Sequence, residues 1–131
     1  IRVVDYKTGS NDKTSIKSVD DIFNPEKIES HSDYYLQALL YSIMLYNNRN
    51  LNPNHLPVSP ALLFIQHATG DDYTPILKFG KDIITDVSIY TEDFLSKLKE
   101  LIEDIFNPNI AFNPTENTKR CQYCPYREIC G

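Results

Sequence analysis

An acid and an amine stand two residues apart in the stretch Val3-Val4-Asp5-Tyr6-Lys7-Thr8-Gly9, within a run whose β-branched and aromatic residues favour a strand. Side chains alternate along a strand, so Val3, Asp5 and Lys7 leave one face, Val4 and Tyr6 the other, with Asp5 and Lys7 spaced by roughly 6.6 Å. That pairing suits phosphodiester hydrolysis. A carboxylate holds a hard divalent cation through oxygen, and a neighbouring ammonium positions the attacking water or stabilises charge developing on the phosphorus centre. The carbonyl of Tyr6 is a further oxygen donor for the same cation. Thr8-Gly9 ends the strand with turn chemistry. The competing reading of this heptapeptide is an ordinary edge strand with a weak, exposed ion pair.

A helix must bring further groups to that strand. The sequence predicts one from Ser32 to about Asn47, with Ser30 or Ser32 as cap and Ser30 and Asp33 forming a capping box. Leu36, Leu39, Leu40 and Ile43 make an apolar stripe that should pack on the sheet, and Tyr34, Gln37 and Tyr41 make the stripe beside it. Residues four apart share a helix face, so Gln37 and Tyr41 reach one point beside the strand of Asp5 and Lys7. There an amide and a phenol can hydrogen-bond a phosphate or a metal-bound water. Equally, Gln and Tyr commonly straddle the border between core and solvent on an amphipathic helix.

The chain's three cysteines lie together as Cys121-x2-Cys124-x5-Cys130. Thiolates so spaced form three corners of a metal centre, either iron-sulfur or zinc, and both need a fourth ligand. A disulfide framework fits poorly, because the count is odd. His31, His55 and His67 are scattered, and no catalytic or metal role is assigned to them.

Asp5-Tyr6-Lys7, Gln37-Ala38-Leu39-Leu40-Tyr41 and the cysteine trio occur in the order D-x-K, Q-x-x-x-Y, C-x2-C-x5-C. In this the chain resembles, essentially from end to end, the RecB-like branch of the PD-(D/E)XK nucleases, most closely AddB-type nuclease domains and related iron-sulfur exonucleases. The resemblance implies an α/β fold, a restriction-endonuclease-like mixed sheet flanked by helices. It also implies a metal-dependent DNA exonuclease of repair and recombination, partnered by DNA and by a helicase domain or subunit. Asp5, Lys7, Gln37 and Tyr41 would be its catalytic residues, with Mg²⁺ or Mn²⁺ held by Asp5 and the Tyr6 carbonyl. Cys121, Cys124 and Cys130 would hold a [4Fe-4S] cluster together with one cysteine far upstream.

The family's acidic residue on the preceding strand and its upstream cysteine have no counterpart in this sequence. With Ile1 already inside a strand pattern, the expectation is a C-terminal portion of one nuclease domain, truncated at its N-terminal side. Residues 1–110 would be part of the catalytic core and 111–131 a cysteine-rich tail, the fragment itself being inactive and without a cluster. The alternative from another class is a catalytically inactive nuclease-like domain that binds DNA or serves as a scaffold in a helicase-nuclease complex. Retention of Asp5, Lys7, Gln37 and Tyr41 together favours the enzyme.

At 131 residues, with 41% hydrophobic and 24% charged residues, the chain is of single-domain size and ordinary globular composition. A net charge of −5 argues against a broadly basic nucleic-acid surface, although a metal-dependent site is itself acidic. No apolar run approaches the ~20 residues of a membrane span, and no leader opens the sequence, so a cytoplasmic location without membrane contact is expected. Elsewhere, Ser10 to Glu29 reads as a loop with a helical turn at Val19 to Phe23, and Asn47 to Pro60 as a loop. Ala61 to His67 reads as a buried strand, Thr69 to Asp72 as a turn, and Thr74 to Phe79 and Ile83 to Ser88 as short strands about a Gly80-Lys81-Asp82 turn. Thr91 should cap a second helix, Glu92 to Phe106, with a wide apolar face of Phe94, Leu95, Leu98, Leu101, Ile102 and Ile105. An open sheet edge would invite pairing between copies, hence an expected homodimer.

Overall fold

A computed structural model describes residues 1–9, 15–69, 73–111, 113, 121–122 and 124–130, of Cys130 the backbone alone. Of the loop expected from Ser10 to Glu29, residues 10–14 lie outside the described residues, as do Gly70, Asp71 and Asp72 of the turn expected from Thr69 to Asp72. The chain divides into two units, Ile1–Leu101 and Ile102–Gly131.

The first unit is built on two parallel strands, β1 (Arg2–Lys7) and β2 (Ser59–Phe64), in a register that sets Asp5 opposite Leu62 and Lys7 opposite Phe64. Parallel strands need a crossover, and here it consists of α1 (Val19–Phe23), a 3-10 helix (Pro25–Ser30) and α2 (Ser32–Asn47). β2 is buried along nearly its whole length, as a parallel strand covered on both faces must be. On the edge of β2 away from β1 the chain returns antiparallel. Leu62 N–H donates to Pro75 C=O at 2.8 Å, and Leu77 N–H donates to Pro60 C=O at 3.1 Å. β3 (Lys78–Phe79) then pairs with β4 (Asp82–Ile83) about Gly80, whose φ of +60° suits glycine. The mixed α/β arrangement expected from the sequence is therefore present.

One side chain completes the outer edge of β2. The Tyr73 hydroxyl accepts from Phe64 N–H at 2.8 Å and donates to Leu62 C=O at 3.0 Å, standing where a neighbouring strand would offer a peptide group.

Several local expectations are corrected. β2 begins at Ser59 and ends at Phe64, and Ile65–His67 curl into a 3-10 turn rather than prolonging the strand to His67. Pro60 is tolerated because Ser59 faces β1, so Pro60 turns its missing donor the other way, where only its carbonyl is used. Thr74 to Phe79 keeps only one isolated bridge, Ala61 with Ile76, before the ladder at Lys78–Phe79. Within Ile83 to Ser88 the ladder stops at Ile83, because Asp86 accepts from Ser88 N–H at 3.0 Å and caps a 3-10 turn, Val87–Tyr90.

That turn runs directly into α3 (Thr91–Phe106), so Thr91 is not a cap. Its backbone is already helical, and its hydroxyl donates back to the Val87 carbonyl at 3.0 Å. Nor does the Ser30-Asp33 capping box form. His31, in the left-handed region at φ 60° and ψ 39°, separates the 3-10 helix from α2, and the Ser30 hydroxyl meets that of Ser15 at 2.9 Å.

α2 buries Tyr35, Ala38, Leu39, Ser42 and Ile43, while Leu36 and Leu40 are half-buried, a rotation away from the expected stripe. Hydrogen bonds permit the polar members of that face. Tyr35 Oη donates to Lys78 C=O at 2.8 Å and Ser42 Oγ to Ala38 C=O at 2.8 Å. The apolar face of α3 is narrower than expected: Phe94 is fully buried and tilts against Phe23 at 5.4 Å, Leu98 is partly covered, and Leu95 and Leu101 are 41% and 40% exposed. In the second unit Ile102 and Ile105 are also exposed, and α3 gives way at Asn107 to a turn in which Ile110 N–H donates to Asn107 C=O at 3.1 Å. Among the described residues no helix is long and apolar enough to cross a membrane.

The cap on Val87–Tyr90 makes a pH prediction. Burial pushes the Asp86 carboxyl up, but hydrogen bonds from the Ser88 side chain and backbone and from the Val58 N–H outweigh it and hold the pKa below the usual 3.8. A depressed folded pKa stabilises the fold above the unfolded value, and the contribution is lost as pH falls through the folded one. Urea midpoints measured from pH 5 to pH 2.5 should therefore fall less steeply in Asp86→Asn than in the unsubstituted chain; parallel profiles would refute the assignment.

Candidate active site

The expected face of β1 is the one that turns inward. Val3, Asp5 and Lys7 are half-buried beneath α2, whereas Val4 and Tyr6 are 37% and 64% exposed on the opposite side. Asp5 and Lys7 therefore leave the strand together, and the parallel register carries them toward the helix face that bears Gln37.

There the four expected residues meet. Lys7 Nζ lies 2.7 Å from Asp5 Oδ2 and donates to Gln37 Oε1 at 2.9 Å, and Gln37 Nε2 donates to Tyr41 Oη at 3.3 Å. A single chain of contacts thus runs from carboxylate to ammonium to amide to phenol. It also grades from inside to outside: the side chains of Lys7 and Asp5 are 15% and 21% exposed, while Tyr41 is 47% exposed. Asp5 Oδ2 is sealed from solvent, and its one close contact among the described residues is the Lys7 ammonium, held by charge rather than by well-aligned hydrogen-bond geometry.

Two further residues belong to this constellation, and sequence reasoning gave neither a role in it. The Lys7 ammonium lies 4.1 Å from the centre of the Tyr34 ring, a cation–π contact, and His31 stacks nearly parallel on the same ring at 4.5 Å. Tyr34 was signalled by its place three residues before Gln37 on the same stripe. His31 had no signal, since a histidine in the left-handed region is neither glycine nor asparagine. Its Nε2 is buried with no hydrogen-bond partner among the described residues. Gln66 Nε2 donates to Thr8 C=O at 3.0 Å and so ties the turn after β1 to the turn after β2.

The arrangement has the parts for hydrolysis of a phosphodiester: an oxygen ligand, a cation held in place by three groups, and polar hydrogens leading out to solvent. The sequence model of one family, described as the PD-(D/E)XK nuclease superfamily, matches residues 1–131. The chain belongs to the PD-(D/E)XK nuclease superfamily. No curated protein and no solved structure matches the chain significantly. Membership makes the chain part of a group of generally hydrolytic nucleases that act on DNA and typically use divalent metals.

The donors on β1 suit a metal of that kind in chemistry and only in part in number. Asp5 carboxylate and Tyr6 carbonyl are hard oxygen donors, and Mg²⁺ is commonly held by one or two carboxylates with water and substrate phosphate completing the shell. Among the described residues no group of three or more His, Cys, Asp or Glu is gathered as a metal site.

The cysteine tail is described in part. Cys124 N–H donates to Cys121 C=O at 3.3 Å and Arg127 N–H to Cys124 C=O at 3.2 Å, so successive turns carry the first two cysteines into the short helix Arg127–Cys130. The Cys130 side chain lies outside the described residues.

Proposed function

We propose that this chain carries the catalytic strand and helix of a RecB/AddB-like, Mg²⁺- or Mn²⁺-dependent DNA exonuclease of repair and recombination. The observation that carries the reading is the joint contact of Lys7 with Asp5 and Gln37, which a scaffold has no physical need to keep. Asp5 and the Tyr6 carbonyl would hold the divalent ion, whose chemistry is to polarise the phosphate and lower the pKa of a bound water.

The residues of the chain then divide the remaining work. Lys7 directs its ammonium at the oxygen on which charge grows as water adds to phosphorus and the P–O bond to the departing alcohol breaks. Gln37 Oε1 and the Tyr34 ring fix that ammonium, so that it need not reorganise during reaction. Gln37 and Tyr41 offer the remaining polar hydrogens to a phosphate oxygen of the strand. Cys121, Cys124 and Cys130, with a fourth ligand elsewhere, would hold a [4Fe-4S] cluster as a structural clasp in the intact protein. A helicase domain or subunit is the partner implied by this branch of the superfamily.

The test is cleavage of end-labelled single-stranded and duplex DNA by the intact protein, with Mg²⁺ or Mn²⁺ and with chelator. Cleavage only with metal is expected. Lys7→Ala should lower kcat by about 10²-fold or more while changing KM much less, because its interaction strengthens only as charge develops. Binding of DNA without metal-dependent cleavage would point instead to an inactive nuclease-like domain.

A further inference from the structure

His31 holds a place that its residue type does not explain. It stands between the 3-10 helix Pro25–Ser30 and α2 at φ 60° and ψ 39°, where its N–H donates to Ile28 C=O at 3.2 Å and its carbonyl accepts from Tyr34 N–H at 3.1 Å and Tyr35 N–H at 3.3 Å. Those backbone bonds close one helix and start the next without using the side chain. Glycine enters the left-handed region with no clash at Cβ, and it would also remove the buried Nε2 that no hydrogen bond satisfies among the described residues. For the turn alone, the imidazole costs stability in two ways. Residues that go against local preference gather at functional sites.

What the imidazole touches is the Tyr34 ring, stacked within 8° of parallel at a centroid distance of 4.5 Å. His31, Tyr34 and Gln37 follow one another at three-residue spacing, along a stripe that begins at the N-terminus of α2. Lys7 Nζ meets both Gln37 Oε1, at 2.9 Å, and the Tyr34 ring, 4.1 Å from its centre, so it enters the stripe between these two. The imidazole therefore reaches the ring from the N-terminal end of the stripe and the ammonium from the C-terminal end. Phe64, a core residue of β2, tilts against the same ring at 6.2 Å and bounds it on the sheet side, while His31 bounds it on the side away from Lys7. A cation–π contact requires the cation to lie over the ring face. A Tyr34 ring free to turn would no longer present that face to the ammonium.

We infer that His31 is a positioning residue for the nuclease reaction: its imidazole braces Tyr34, and through that ring it holds the Lys7 ammonium beside Asp5 and Gln37. The inference rests on the nuclease reading for what the ammonium does, and goes beyond it in naming what keeps the ammonium in place.

The test uses the intact protein and two readouts, one of them independent of cleavage. Ring currents move protons over an aromatic face upfield, so the Lys7 ε-methylene signal, one bond from Nζ, reports its place over Tyr34 in metal-free protein with isotope-labelled lysine. His31→Gly should keep or raise the melting temperature and move that signal toward the ordinary lysine position. The same variant should lower kcat on end-labelled DNA about ten-fold and leave KM within about two-fold. His31→Phe, which restores a flat ring without the nitrogens, should recover most of both effects. An unmoved Lys7 signal in His31→Gly, or a moved one with kcat unchanged, would overturn the inference, whether the variant melts normally or early. A signal that moves as expected, in a protein whose unsubstituted form cleaves nothing with metal, would overturn the nuclease reading and leave the brace standing.

Discussion

Asp5→Ala is expected to abolish metal-dependent cleavage in the intact protein, with kcat falling at least ~10²-fold, while the fold survives. The loss arises twice over at one atom. Among the described residues Asp5 is the only carboxylate in the cluster formed with Lys7, Gln37, Tyr41 and Tyr34, and its Oδ2 also pairs with the Lys7 ammonium at 2.7 Å. Without it the ammonium keeps Gln37 Oε1 and the Tyr34 ring but loses its counter-charge at a half-buried position. A stability loss of about 1–2 kcal/mol follows, small beside the stability of a folded domain. Asp5→Asn should recover the stability and not the activity. Cleavage at the unsubstituted rate by Asp5→Ala, in protein whose circular dichroism and melting are near normal, would remove Asp5 from the mechanism.

The largest effect on stability is expected at Phe94. Its side chain is fully buried and meets Phe23 at 5.4 Å, and of the apolar residues on the first-unit part of α3 only Leu98 joins it in the core. What else links this helix to α1 is the Lys97–Asp20 bridge, 2.6 Å long but on the surface. Hydrogen bonding to Asp20 raises the Lys97 pKa, yet exposed pairs of this sort contribute little to stability. Phe94→Ala should therefore cost about 3–5 kcal/mol, read as a lower urea midpoint, whereas Leu95→Ala one residue on should stay within ~0.5 kcal/mol. Equal effects at the two positions would mean that α3 docks by a different face.

The contrast between neighbours 94 and 95 shows what a sequence can and cannot say. Helical periodicity identified α2 and α3, the first with its bounds and the second to within one residue at its start, because a 3.6-residue repeat is local. It could not say how much of the α3 stripe finds a partner, which depends on elements distant in sequence. The site was more legible than the core. Alternation put Asp5 and Lys7 on one face, and the four-residue spacing put Gln37 beside Tyr41; the parallel register then brought both sets together. Tyr34 was invisible as a partner of Lys7 because a cation–π contact depends on ring orientation rather than spacing. The Ser30-Asp33 box failed because His31 took the left-handed turn between them, and the strand through His67 failed because its hydrogen-bond partners end at Phe64. In both places the residue types allowed the expected element, and longer-range geometry chose another.

The phenol of Tyr73 carries a consequence for how the protein behaves at high concentration. Strand edges with bare N–H and C=O groups recruit strands from other molecules, the first step toward insoluble aggregates. By occupying Phe64 N–H and Leu62 C=O with one hydroxyl, Tyr73 closes that stretch of β2 to foreign strands without extending a ladder along it. A hydroxyl has no further amide to offer a newcomer, as an added strand would. Together with the Pro75–Leu77 segment on the same edge, the Tyr73 hydroxyl leaves this end of β2 a short, self-limited sheet.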